Sequence, residues 1–121
     1  MEHISEREWL VLEELWETDG AELGVLVERL YSNTGWNRNT VLTYLTRMEG
    51  KRLVIIDKAV SPHRYLAGVS REECRRQERS RFLRRVYRGS AGDLVAAFLK
   101  EEKLSREERE RLRRLLDDME V

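Results

Sequence analysis

The chain has 121 residues, 40% apolar and 38% charged, with 23 basic and 23 acidic side chains and a formal net charge of zero. That is the size of one domain or two small units, and the charged share, well above the usual quarter, favours helices with ion-paired surfaces. Bulk charge therefore names no partner. The single cysteine, Cys74, excludes an intrachain disulfide and fits a reducing cytosol, and no apolar run approaches the roughly 20 residues of a membrane span.

Charge is distributed unevenly. Residues 1–69 hold 8 Lys/Arg against 11 Asp/Glu, a balance of −3, and residues 70–121 hold 15 against 12, a balance of +3. The opening "MEHISEREW" has no basic start and no apolar stretch, so no signal peptide is expected. The first helix is expected from Ser5 to Glu17. Ser5 and Glu8 form a capping box, Trp9, Leu12, Leu15 and Trp16 share one side, and "TDG" stops it at Gly20. The second helix is expected from Ala21 to Ser32, with Leu23, Leu26, Val27 and Leu30 inward and Gly35 as its breaker. The third begins at Asn37, a good N-cap, and buries Val41, Leu45 and Met48, with Tyr44 beside that stripe. "RLVIID", Arg52 to Asp57, reads as a strand, "KAVSPH" as a turn and "RYLAG" as the returning strand. Three helices followed by a hairpin make a winged helix-turn-helix over residues 1–69.

From Ser70 the pattern is helical to the end. Ser70/Glu73 and Ser105/Glu108 repeat the capping box, and helices are expected over Ser70–Tyr87, Asp93–Lys100 and Ser105–Met119. Three charged helices of about 50 residues bury little core alone. The apolar positions Leu94, Phe98, Leu99, Leu112, Leu115 and Leu116 therefore call for a partner surface, most simply a second copy of the chain. The fold class expected is mainly α with a small β-hairpin, a winged helix over 1–69 and a three-helix dimerisation domain over 70–121.

The third helix carries the functional signal. Its outward side holds Asn37, Arg38, Asn39, Thr40, Thr43 and Arg47, and the helix has one acid, Glu49, near its end. Short donors and acceptors, Arg, and few carboxylates are what a helix entering the major groove needs, because phosphates repel acid and base edges ask for hydrogen-bonding groups. The helix N-terminus adds free amide N–H groups for a phosphate. Lys51 at the far end, and Lys58, His63 and Arg64 near the tip of the hairpin, extend the basic surface to a wing.

Other chemistry lacks its parts. His3, His63 and Cys74 lie in three different elements, and no HExxH, CxxC or phosphate-binding glycine loop is present, so neither a metal, a cofactor nor an enzymatic reaction is expected. Cys74, between Glu73 and Arg75 in a first helical turn, reads as a packing residue near the dimer seam, with a redox switch as the alternative. Eight Arg between Arg71 and Arg88 read first as partners for the acids of the last helix. Trp9, Trp16 and Trp36 read as core packing rather than a ligand cage.

The segments "ISEREWLVLEELW", "GWNRNTVLTYLTRM", "VSREE", "LVAAFLKEEKLSREE" and "LRRLLDD" resemble, in order and spacing, the BlaI/MecI family of penicillinase repressors over almost the whole chain. The resemblance implies a cytoplasmic homodimer that binds a TACA/TGTA-type inverted-repeat operator. It also implies, for β-lactam-responsive members, a membrane sensor protease whose signal leads to cleavage at the bond matching Ala97–Phe98. The chain departs from the family pattern in several places. Arg52 stands where a glycine is usual and Gly50 comes earlier, which predicts a helix ending sooner. Leu42 replaces a frequent polar residue, Ser61-Pro62 replaces the wing glycine, Ala97 replaces an Asn, and the Cys-rich tail of the copper-responsive branch is missing. Two functions stand at this stage: a DNA-binding transcriptional repressor, or a helical protein-interaction adaptor whose winged helix no longer reads DNA. The scarcity of acid on the third helix favours the first.

Overall fold

The structure, a computed structural model, describes residues 3–101 and 103–119. Its elements are α1 (Glu6–Thr18), β1 (Ala21–Glu22), α2 (Leu23–Thr34), α3 (Arg38–Gly50), β2 (Val54–Asp57), β3 (Arg64–Ala67), α4 (Arg71–Tyr87), α5 (Ala91–Glu101) and α6 (Arg106–Asp118). The chain divides into two compact units, residues 1–76 and 77–121, with the division inside α4.

In the first unit α1 starts on a complete capping box. The Ser5 hydroxyl accepts the Glu8 N–H and the Glu8 carboxylate accepts the Ser5 N–H. The helix ends with Asp19 in the left-handed region at φ 55° and Gly20 at φ 98°, whose N–H returns to the Leu15 carbonyl. That turn releases Ala21 and Glu22 into an extended pair. The expected helix from Ala21 is thus corrected: these two residues form β1, pairing antiparallel with Tyr65 and Arg64 of β3, and α2 begins at Leu23. Helical apolar spacing extends back to this point, but a partner strand over 40 residues away takes the backbone.

The hairpin is therefore the larger part of a three-stranded antiparallel sheet of order β1-β3-β2, with Val54 opposite Ala67 and Asp57 opposite Arg64. β2 starts at Val54 rather than Arg52, because Arg52 and Leu53 close α3. Arg52 sits at φ 64°, its N–H donates to Glu49 O, and the Leu53 N–H donates back to Met48 O. The left-handed residue expected at Gly50 is thus Arg52, while Gly50 stays helical. A side chain in that conformation costs roughly 1 kcal/mol. Gly68 is held against this turn: its N–H donates to Leu53 O at 2.8 Å, and a Cβ there would stand 2.7 Å from Arg52 O.

One core unites the helices and the sheet. Val11, Leu12 and Leu15 of α1 meet Leu26 and Leu30 of α2, Val41, Leu45 and Met48 of α3, and Val54 and Tyr65 of the strands, all buried. Cys74, from the start of α4, is buried in this same cluster, so it is a packing residue of the first unit. Burial first, and the charge of Glu73 second, push its thiol above its usual pKa, the reverse of the activation considered from its arginine neighbours. The first turn of α4 is further tied to α1. The Trp16 indole donates to Val69 O at 2.9 Å, Arg71 donates to Glu13 at 2.8 Å and Glu17 at 3.1 Å, and the Arg71 guanidinium lies 5.4 Å from the Trp16 ring centre. Arg71 thus pairs with the acids of α1. Trp9 and Trp16 meet edge to face at 6.1 Å.

In the second unit α6 carries a full Ser105/Glu108 capping box, and α5 is capped by Ser90, whose hydroxyl accepts the Asp93 N–H. That cap starts α5 at Ala91, two residues before the position expected from apolar spacing. No residue of α5 or α6 is buried. Val95, Leu99, Leu104, Leu112, Leu115 and Leu116 line an apolar groove of about 350 Å³.

Candidate nucleic-acid interface

Helix α3 begins where Gly35 (φ 67°) ends α2, donating to Tyr31 O. Asn37 is the N-cap, its Oδ1 accepting the Thr40 N–H at 2.9 Å, which leaves its amide group outward. Trp36 stacks on Tyr44 with ring centres 4.6 Å apart and planes 13° from parallel, fixing the approach of the chain to the helix. Val41, Leu45 and Met48 are fully buried beneath. That anchoring turns the rest of the helix outward: Asn37, Arg38, Asn39, Thr43 and Arg47 are exposed and Thr40 is half-buried.

Asn37, Asn39, Thr40, Thr43, Tyr44 and Arg47 together line an open concavity of about 320 Å³. The structure thus gathers five of the residues singled out by sequence, with Arg38 exposed beside them. The Thr43 hydroxyl donates to Asn39 O at 2.8 Å, so toward a ligand it presents lone pairs and its methyl group. Leu42 is exposed on the same helix, free to meet an apolar group such as a thymine methyl. Tyr44 was placed beside the buried stripe by spacing alone. It is half-buried and lines the concavity, and the only sequence signal for it was a polar-tipped aromatic on the boundary of that stripe.

The remaining predicted positions separate. Lys51 is taken by α1: its ammonium lies 2.8 Å from Glu8 Oε2, and Glu8 is buried. Burial, the largest influence, raises the Glu8 carboxyl pKa, but the Lys51 hydrogen bond, the Ser5 backbone N–H and the Lys51 charge outweigh it and hold the group below its usual range. Lys51 is therefore a partner of the core. Arg64 donates to Asp19 O at 3.2 Å while remaining exposed. Lys58 lies 3.9 Å from Glu49, a loose surface pair worth little. His63 is exposed in the β2–β3 loop. Among the described residues no cluster of three or more His, Cys, Asp or Glu could hold a metal, and no helix is long and apolar enough to cross a membrane.

Comparison with known proteins agrees with this architecture. The profile of the family described as "Penicillinase repressor" matches residues 4–118. The methicillin resistance regulatory protein MecI of Staphylococcus aureus is 28% identical over 114 residues, 94% of this chain and 93% of that protein, and that of Mammaliicoccus sciuri matches equally. The penicillinase repressor of Staphylococcus aureus is 26% identical over 116 residues, 96% of this chain and 92% of that protein. With its winged helix, its helical second unit and this match along nearly its whole length, the chain belongs to the penicillinase repressor family, the BlaI/MecI-type transcriptional regulators.

Proposed function

We propose that the protein is a cytoplasmic homodimeric repressor that reads an inverted-repeat operator of TACA/TGTA type with α3 and the β2–β3 wing. The observation that carries this reading is the outward face of α3: amide, hydroxyl and guanidinium groups around one concavity, with no carboxylate lining it. Duplex DNA repels acid and offers phosphate oxygens and base edges, and this face complements both. Thr40, Thr43 and Arg47 address bases or adjacent phosphates, Asn37 and Arg38 hold backbone at the helix start, and Lys58, His63 and Arg64 reach flanking phosphates from the wing. Lys51, occupied by Glu8, drops out of that set.

Residues 1–69 serve as the reading domain and 70–121 as the pairing domain in this proposal. Support for pairing comes from apolar side chains on α5, on α6 and at the C-cap of α6 that stay open to water: Val95, Phe98, Leu99, Leu115, Leu116 and Met119 are 46–67% exposed. Joining two copies covers such surfaces and sets two recognition helices on successive half-sites. Derepression follows from cleavage of the Ala97–Phe98 bond after a membrane sensor protease signals. That bond lies within α5, which buries no residue, so local opening to admit a protease costs little.

The test is fluorescence anisotropy on a TACA/TGTA inverted-repeat duplex and a scrambled duplex at several salt concentrations. Salt-sensitive binding with a clear preference for the repeat is expected. Absence of binding even at low salt overturns the reading in favour of an interaction adaptor.

A further inference from the structure

The concavity on α3 has two rims. Asn39 and Thr43 stand on the exposed crest of the helix, where a recognition helix meets base edges. Asn37, Thr40, Tyr44 and Arg47 follow at spacings of three, four and three, so they form a second stripe along the flank, and Thr40 and Tyr44 in it are half-buried. A flank set back from the crest faces the sugar-phosphate wall of the groove rather than its floor.

The chemistry of the flank is mostly that of a donor. Asn37 Oδ1 already accepts the Thr40 N–H, and its NH2 has both donors to give. Arg47 has only donors. The Tyr44 ring is pinned on Trp36, and Trp36 is itself held by a hydrogen bond from its backbone N–H to the Thr34 hydroxyl at 3.1 Å. Among the described residues, no group bonds the Tyr44 hydroxyl. Across each base pair the major-groove edge mixes donors with acceptors, whereas a phosphodiester presents acceptors alone. Donors converging from Asn37, Tyr44 and Arg47 fit the second.

We propose that Tyr44 is a phosphate-anchoring residue of the DNA surface: its hydroxyl, held in place by the Trp36 stack, donates to a phosphodiester oxygen that Asn37 and Arg47 also approach. This rests on the reading of α3 as the DNA-binding helix. Such a contact fixes how the helix sits in the groove without carrying sequence information.

The experiment compares the wild-type chain with Tyr44→Phe, which keeps the stacked ring and removes only the hydroxyl. Both proteins are titrated against the inverted-repeat and scrambled duplexes, and unchanged thermal melting certifies the fold. Loss of about tenfold in affinity for both duplexes is expected, as for a hydrogen bond to a charged group, with the salt slope unchanged because a neutral donor displaces no counterion. As a second measurement, single phosphates of the operator are replaced by neutral methylphosphonates. At the contacted phosphate the replacement weakens both proteins through the shared Arg47 contact, but the wild type by more than Tyr44→Phe, which has no hydroxyl contact left to lose. Equal binding by Tyr44→Phe and wild type overturns the assignment. So does a loss confined to the repeat, which would make Tyr44 a base reader. A wild-type protein that binds neither duplex is a separate result: it overturns the DNA reading itself.

Discussion

Replacing Lys51 by Met tests whether this lysine belongs to the core or to a DNA surface. Its ammonium lies 2.8 Å from Glu8 Oε2, with the Lys51 side chain 35% exposed and that of Glu8 only 7%. Orphaning a fully buried charge costs about 3–5 kcal/mol, and an exposed pair contributes about 0–1 kcal/mol. One wet partner, together with the Ser5 N–H that still serves Glu8 at 2.9 Å, places the loss between these, at about 2 kcal/mol. At roughly 4 °C per kcal/mol for a domain of this size, the melting point falls by about 8 °C. The loss depends on pH. The folded Glu8 carboxyl titrates below its usual 4.5, so the pair stabilises fully above that value and its contribution disappears as pH falls through the lower folded value. Urea unfolding of wild type and Lys51→Met should therefore differ most near neutral pH and converge as pH falls through the lowered value of the folded Glu8 carboxyl. With Lys51 held by Glu8, operator binding should keep its wild-type salt slope. A destabilisation under about 0.5 kcal/mol at neutral pH, or a gap that persists undiminished in acid, refutes the ion-pair account.

Arg47→Ala, exposed on the flank of α3, should weaken operator binding at least about tenfold and reduce the salt slope by about 1, read by anisotropy across a salt series. Arg52→Gly should raise stability by up to about 1 kcal/mol in urea, because glycine removes the left-handed strain at φ 64° while giving back part of the gain as unfolded-state entropy. Leu116→Asp, at a side chain 59% exposed on α6, should shift sedimentation from dimer to monomer at micromolar concentration with the first unit still folded; an unchanged dimer removes α6 from the seam.

Local signals in the chain were enough for much of the fold. Serines followed three residues later by glutamate mark α1, α4 and α6, and Asn37 marks α3, because each cap side chain accepts a backbone N–H only three residues on, with the full capping box closed at α1 and α6. Helical spacing of Val41, Leu45 and Met48 then decides which face of α3 turns outward, and with it the set Asn37, Asn39, Thr40, Thr43 and Arg47. What distance along the chain conceals, only the tertiary structure decided. Ala21 and Glu22 leave the helical pattern because β3 pairs with them. Lys51 pairs with Glu8, 43 residues earlier, because that buried carboxylate takes a cation. Cys74 and Arg71 carry the first unit into α4 because the core and the carboxylates of α1 take them up. Arg52 rather than Gly50 turns the chain, because Leu53 must reach back to Met48 before β2 can begin. Each of these outcomes rests on contacts between residues that only folding brings together, where burial and pairing outweigh the weaker preferences of local sequence.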